Sequence, residues 1–157
     1  MFLKVTTARQ GAIKGESNDG KHEGEIDVLS WSWGMNVRSS LSTSGAGRAT
    51  MNELHVHKSV DSASVALMSA LRNNDVIKKA VLTVRKAGKI QHEYFKITIE
   101  DGRITNMDVA TADDEPIPRI SEKLSFSYQK ISIEYVPQGP DGQPRGGMQF
   151  ATETAAG

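Results

Sequence analysis

At 157 residues the chain has the length of one domain that buries roughly two thirds of the surface its unfolded form exposes. Nineteen Lys and Arg balance nineteen Asp and Glu, which removes the net attraction to nucleic acid or an anionic membrane and argues against both as partners. With no cysteine, disulfide staples, thiolate zinc sites and cysteine nucleophiles are excluded together.

The first residues, Met1 to Val5, lack a basic segment followed by an apolar one, and no run approaches the ~20 apolar residues of a membrane span. The product is therefore expected to start as a soluble cytoplasmic protein. Phe2 to Thr6 reads as a first strand and Ile13 to Ser17 as a second, ending in the polar turn Asn18 to Lys21. Ile26 to Trp33 alternates, with Leu29, Trp31 and Trp33 on a packed face and Ser30 and Ser32 on a polar one. Inward tryptophans of this kind are read as core, given their area.

Residues 36–50 contain eight Ser, Thr or Gly among fifteen and no acidic side chain. The stretch predicts a long extended loop, and loops of that length in a compact domain usually bind something or are disordered. Met51 to His57 resumes an alternating strand, with Leu54 and Val56 on one face and His55 and His57 on the other. The one clean helical period follows at about 61–73, where Ala63, Ala66, Leu67, Ala70 and Leu71 make an apolar stripe and Ser62, Ser64, Ser69 and Arg72 face away. Asp61, or Ser59 before it, can cap the start and Asn73 or Asn74 the end. A helix of roughly 18 Å is too short to stand alone and is expected to dock on a sheet.

Ala80 to Arg85 and Tyr94 to Glu100 read as strands, and Asp101-Gly102 as a tight turn after which Arg103 to Ala110 pairs back antiparallel. Asp113, Asp114, Glu115 and Pro116 make an acidic loop. In Lys123 to Val136 the apolar phase switches at Gln129-Lys130, from Leu124, Phe126 and Tyr128 to Ile131, Ile133 and Tyr135, which predicts a bulge or a strand crossing between two sheets. All five prolines follow residue 115. Residues 137–157 are expected to be a loose tail, with Met148 and Phe150 as a final contact. The sum is a mainly β domain, an antiparallel barrel or two packed sheets with one flanking helix.

Little of this carries reaction chemistry. His55-Val56-His57 supplies two imidazoles where a metal needs a third ligand, and reads as a solvated face. Ser127 to Lys130 has the Ser-x-x-Lys spacing of some acyl enzymes, but in a strand and without the partner motifs. Gly45 to Thr50 lacks the ending and flanks of a phosphate loop. Asp113, Asp114 and Glu115 read as a solvated turn, and nothing assembles a nucleophile, base and oxyanion site. The chain is read as not an enzyme, with no cofactor and no metal.

Ile13-Lys14-Gly15-Glu16-Ser17, Ile26 to Gly34, and Leu124-Ser125-Phe126 through Tyr135 with Gln138 resemble, together with the Lys58 to Leu71 segment between them, the haemolysin-coregulated protein (Hcp) family of the bacterial type VI secretion system. The likeness covers residues 1–136, and it implies a phage-tail-like tube subunit. Six copies would close into a ring, and rings would stack head to tail into an inner tube expelled by a contracting sheath behind a VgrG-like spike. Small effectors would ride in the lumen, and the protein would leave the cell without a signal peptide. On this footing Arg38, Ser39, Ser42 and Arg48 are the expected subunit or ring interface, with Asp113, Asp114 and Glu115 as its acidic counterpart. Ser30 and Ser32 are the expected lumen-facing pair. From the strand pattern alone, the alternative is a monomeric ligand-binding β-barrel; a hydrolase using Ser127 or a histidine ranks behind it.

Overall fold

Residues 1–37, 49–111, 116–117 and 119–154 are described by the computed structural model. The strands are β1 (Phe2–Thr7), β2 (Gly11–Ile13), β3 (Ile26–Asp27), β4 (Ser30–Ser32), β5 (Met35–Val37), β6 (Ala49–Met51) and β7 (Leu54–Ser59). After the helix α1 (Ser64–Arg72) come β8 (Ile77–Arg85), β9 (Glu93–Thr111), β10 (Ile120–Ser127), β11 (Lys130–Tyr135) and β12 (Met148–Glu153). Every pairing is antiparallel, in a main ladder running β2-β1-β8-β9-β10-β7-β4, with β11 beside β9, β12 beside β11 and β3 beside β1. Among the described residues the expected mainly β architecture with one helix is what forms.

The ladder becomes two packed layers because β9 belongs to both. Its first half pairs with β8 and β11, for example Ile97 with Leu82 and Ile133, and its second half pairs with β10. The hairpin expected at Asp101-Gly102 is therefore replaced by a bend in one continuous strand. A type I′ turn needs positive φ at both central residues, and only Asp101 has it, at 54°. Gly102 serves a different purpose: a Cβ there would lie 2.0 Å from the Ser127 carbonyl oxygen, so only glycine lets the two strands touch. The neighbouring strand breaks at the same level, between β10 and β11, where Gln129 N–H donates to Glu100 O at 3.1 Å. The phase switch read at Gln129-Lys130 is this crossing.

Between the layers lie fully buried Leu3, Ile26, Leu54, Leu67, Ile77, Leu82, Ile97, Ile99, Leu124, Phe126 and Ile131. The helix contributes Ala63, Leu67 and Ala70, as its stripe requires, and Asp61 Oδ1 accepts from Ala63 N–H at 3.0 Å. Ser64, expected to face away, is buried instead, because its hydroxyl donates to Glu122 Oε1 at 2.8 Å. Lys58 and Glu122, side by side in register on β7 and β10, point inward with no exposed surface. Lys58 Nζ donates to Glu122 Oε1, to Asp61 Oδ1 at 2.8 Å and to Ser64 Oγ at 3.2 Å.

Other expectations change. The Ile26 to Trp33 strand is cut in two: β3 joins β1, β4 joins β7, and Leu29 at the break is 52% exposed instead of packed. Trp31 and Trp33 are half-buried, Trp31 stacked on Phe95 at 5.4 Å and Trp33 donating to the Tyr128 hydroxyl at 2.6 Å. The second strand stops at Ile13, because Gly15 and Ser17 instead bond to Gly24 and Glu25. Tyr135 is exposed rather than packed. The C-terminal segment is less loose than its composition suggests, since β12 pairs with the whole of β11, Ile133 opposite Phe150 and Tyr135 opposite Met148.

Side-chain clamps hold the 14–25 segment. His22 stacks on Phe2 at 4.3 Å, and its ring nitrogens lie 2.7 Å from Glu25 Oε2 and 2.5 Å from Glu93 Oε1. Arg85 donates twice to Asp19, at 2.9 and 2.6 Å, and this pairing holds the Asp19 carboxyl down at about 2.

Two predictions follow from these contacts. Lys58→Met strands a buried carboxylate and is expected to lower stability by roughly 3–5 kcal/mol, whereas Lys58→Met combined with Glu122→Leu recovers most of that loss; urea midpoints of the two variants test it. A carboxyl held low stabilises the fold above its unfolded pKa near 3.9 and loses that contribution as pH falls toward about 2. The midpoint gap between the native chain and Asp19→Asn should accordingly be widest above about pH 5 and close near pH 2.

Candidate functional site: a serine and imidazole sheet face

The outward face of the β4-β7-β10-β9 layer is polar across its width. Alternation sends Leu54, Val56 and Lys58 of β7 inward and His55 and His57 outward. In β10 it sends Glu122, Leu124 and Phe126 inward and Ser121, Lys123 and Ser125 outward. Register then aligns two cross-strand rows: Ser30, His57, Lys123, Asp108 and Ser32, His55, Ser125, Asn106. His55 Nδ1 lies 2.8 Å from Ser125 Oγ, and His57 Nε2 lies 3.1 Å from Ser121 Oγ. Together they form an open trough of about 560 Å³.

Ser30 and Ser32 are exposed on this face, in opposite phase to Trp31. Arg38, Ser39, Ser42, Arg48, Asp113, Asp114 and Glu115 lie outside the described residues. What adjoins the first four is described: β5 and β6 form a separate two-stranded ribbon with Met35 and Val37 exposed, where the sequence suggested loop from residue 36.

Sequence reasoning missed Asn106 and Asp108 as members of the face. Simple alternation fails there because Thr105 is an extra residue: Ser125 pairs with Asn106 but Phe126 with Ile104, and the bulge shifts the phase. For Lys123, Ser121 and Ser125 the period-2 signal was present, but nothing local said that β10 lies beside β7.

The face offers hydrogen-bonding hydroxyl, imidazole and amide groups. Each serine–imidazole pair resembles half of a hydrolytic triad, yet no carboxylate bonds the second ring nitrogen among the described residues. The strand N–H groups that an oxyanion hole would need are spent in the ladder. No three His, Asp or Glu side chains among the described residues are placed to share a metal ion. Ser127, the other nucleophile considered, donates its hydroxyl to Arg103 O at 3.3 Å. Tyr128, whose hydroxyl burial pushes up in pKa, donates to Asn52 O at 2.6 Å while accepting from Trp33 and so holds the base of the β5-β6 ribbon to the body.

The family model described as "Type VI secretion system effector, Hcp" matches residues 2–135. Protein hcp1 of Pseudomonas aeruginosa is 34% identical over 151 residues, covering 94% of this chain and 89% of that one. Among solved structures, a type VI secretion system effector from Yersinia pestis superposes with a TM-score of 0.75 at 28% identity over 98% of each chain. Hcp1 from Salmonella typhimurium gives 0.75 at 28% over 97% of this chain and 93% of that one. By the extent of the family match and the identity to its relative, this chain belongs to the Hcp family of type VI secretion system proteins.

Proposed function

We propose that this chain is the tube subunit of a type VI secretion system. Six copies close into a ring, rings stack head to tail, and the lumen carries small effectors until sheath contraction expels the tube behind a VgrG-like spike. The observation that carries this reading is the polar sheet face: a continuous surface of serine, imidazole and amide side chains is what the wall of a water-filled channel requires. An antiparallel sheet can present such a face with its other side packed on a core. Ser30 and Ser32 are the proposed effector contacts, at the β4 edge of that wall.

Ring closure and stacking each require a surface that fits an unlike surface of the next copy. Support comes from what the fold leaves uncovered: the β5-β6 ribbon pairs with no other described strand, and the edge strand β12 exposes Met148 and Phe150. In this proposal Arg38, Ser39, Ser42 and Arg48 extend from the ribbon to an adjacent copy, and Asp113, Asp114 and Glu115 answer them with negative charge. Synthesis is cytoplasmic and export follows as part of the tube. No helix among the described residues is long and apolar enough to cross a membrane. A monomeric barrel binder is disfavoured by an observation: the space between the layers, where its ligand would sit, is filled by Leu3, Leu82, Ile97, Ile99 and Phe126.

Negative-stain images of the purified chain are expected to show rings with a central hole, and deletion of residues 39–49 to abolish stacking or ring closure; solitary particles from the intact chain, or normal tubes from the deletion, defeat the reading. Ser32→Glu is expected to leave rings intact while a co-expressed effector no longer co-purifies with them. Undiminished co-purification removes Ser32 from the lumen.

A further inference from the structure

Each layer has an interior face that runs out into solvent at a free sheet edge. Residues paired across an antiparallel ladder share a face. In the β8-β9-β11-β12 layer the row Leu82, Ile97, Ile133, Phe150 starts in the sealed core, passes through half-buried Ile133 and ends at Phe150, 42% exposed. The next row runs from buried Val84 through Phe95 to exposed Tyr135 and to Met148, 64% exposed. Among the described strands β12 pairs with β11 alone, so this wing has an apolar face and nothing over it. The β7-β10-β9 layer repeats the pattern at its other end. There the row Lys58, Glu122, Val109 passes from two residues with no exposed surface to one that is 46% exposed. Asp61 and Ser64 at the start of α1 engage Lys58 and Glu122, and Val109 is left open. Ile120 lies in phase with Glu122, and Val60 N–H donates to Ile120 O at 3.1 Å; both are exposed.

A sheet's apolar face has to be covered by another element, and these two are continuations of the core, on the side of each layer that alternation keeps dry. Tyr135, Met148 and Phe150 leave on the order of 300 Å² open, against about 800 Å² that each partner gives to a standard interface. That is the size of an interface centre, and polar neighbours on the same faces, Thr152 on the wing and Thr111 beside Ile120, supply a rim. The two patches differ in shape: the wing carries long or flat side chains, and the other face carries the branched aliphatics Val60, Val109 and Ile120. Large side chains set against smaller ones interdigitate. We infer that the wing of one copy docks on the Val60, Val109 and Ile120 face of the next, so that the interior of each domain is completed by its neighbour. The two surfaces are unlike, so the contact passes head to tail and closes wherever its rotation closes. Closure into a ring rests on the tube reading proposed above; the docking itself rests on the two open interior faces.

The chain holds no cysteine, so cysteines placed on the two rims report without background. The purified full chain carrying Thr111→Cys and Thr152→Cys is treated with bis-maleimides of short and long span, and is expected to give a ladder of linked chains ending at six. Either single variant alone stays unlinked, and an equimolar mixture of the two gives dimers and nothing longer. Adding Val109→Asp or Phe150→Asp to the doubly substituted chain lowers linking roughly tenfold or more. Adding Val65→Asp, on the exposed side of α1, leaves linking unchanged. All three aspartates fall at exposed positions, and thermal melts that overlay the parent show that the fold is kept. Rings in negative stain from a chain that no reagent links, or linking that survives both Val109→Asp and Phe150→Asp, overturn the wing contact and leave the tube standing. Single variants that link to themselves overturn the pairing of unlike faces. Linking that depends on Phe150 but yields no closed species keeps the contact and refutes the ring. Monomers without links refute both.

Discussion

The buried contact of Lys58 with Glu122 is the constraint around which the domain is arranged. A charged pair without solvent is a weak source of net stability but a strong source of specification, because each partner alone would be an uncompensated charge in an apolar medium. Lys58 Nζ spends its donors on Glu122, Asp61 and Ser64. With those bonds it fixes the register of β7 on β10 and locates the first turn of α1 on the layer they form. A slip of one residue between β7 and β10 would leave the pair unmatched and turn His55 and His57 into the core. The polar character of the outward face and the ionic contact inside are thus two consequences of one register.

A second constraint is where the sheet folds over. The β9 strand bends at Asp101-Gly102, and the adjoining chain breaks between β10 and β11 at the same level. Both layers therefore share a seam in which the Ser127 carbonyl comes against Gly102 with no room for a side chain. Above the seam, Ile97 and Ile99 pair with Leu82 and Ala80; below it, Ile104 faces the same core from the other layer. One long strand thus delivers apolar side chains to both sides of a single interior, which is why a chain of modest hydrophobic content needs only one helix to close it.

Much of this was legible in the sequence wherever burial is one-sided. The stripe Ala63, Leu67, Ala70, the alternation through Leu54 and Val56, and the phase change after Tyr128 each reflect a local period imposed by a buried face. The failures have equally local causes. Asp101-Gly102 carries the composition of a turn, and only the approach of Ser127 from a distant part of the chain reveals that its glycine is needed for proximity. Ser64 looks like an outward polar residue until Glu122 is known to lie beneath it. Asn106 and Asp108 fell out of phase through the bulge at Thr105. Leu29 looked inward because the chain transfers from β1 to β7 just there, and no periodicity marks a change of partner. The family resemblance did not depend on these details, since it was carried by short stretches whose order and spacing survive such local errors.

The two sides of the β4-β7-β10-β9 layer divide their labour, one packing the core and the other facing solvent with polar side chains. The aliphatic interior and the Lys58–Glu122 pair lie on the inner side and are sealed from solvent. Outward side chains such as Ser30 and Ser32 are exposed, and substitutions at exposed positions away from caps and networks perturb stability by only about half a kcal/mol. The face is consequently free to vary in charge and hydrogen-bonding chemistry without disturbing the subunit. In the proposed tube, assembly would draw on a third set of groups, the exposed side chains of the β5-β6 ribbon, whose Met51 also packs against the core, and the uncovered edge of β12. In the proposed tube, folding and cargo contact can then be altered one at a time, because strand alternation keeps their residues on opposite faces of the sheet.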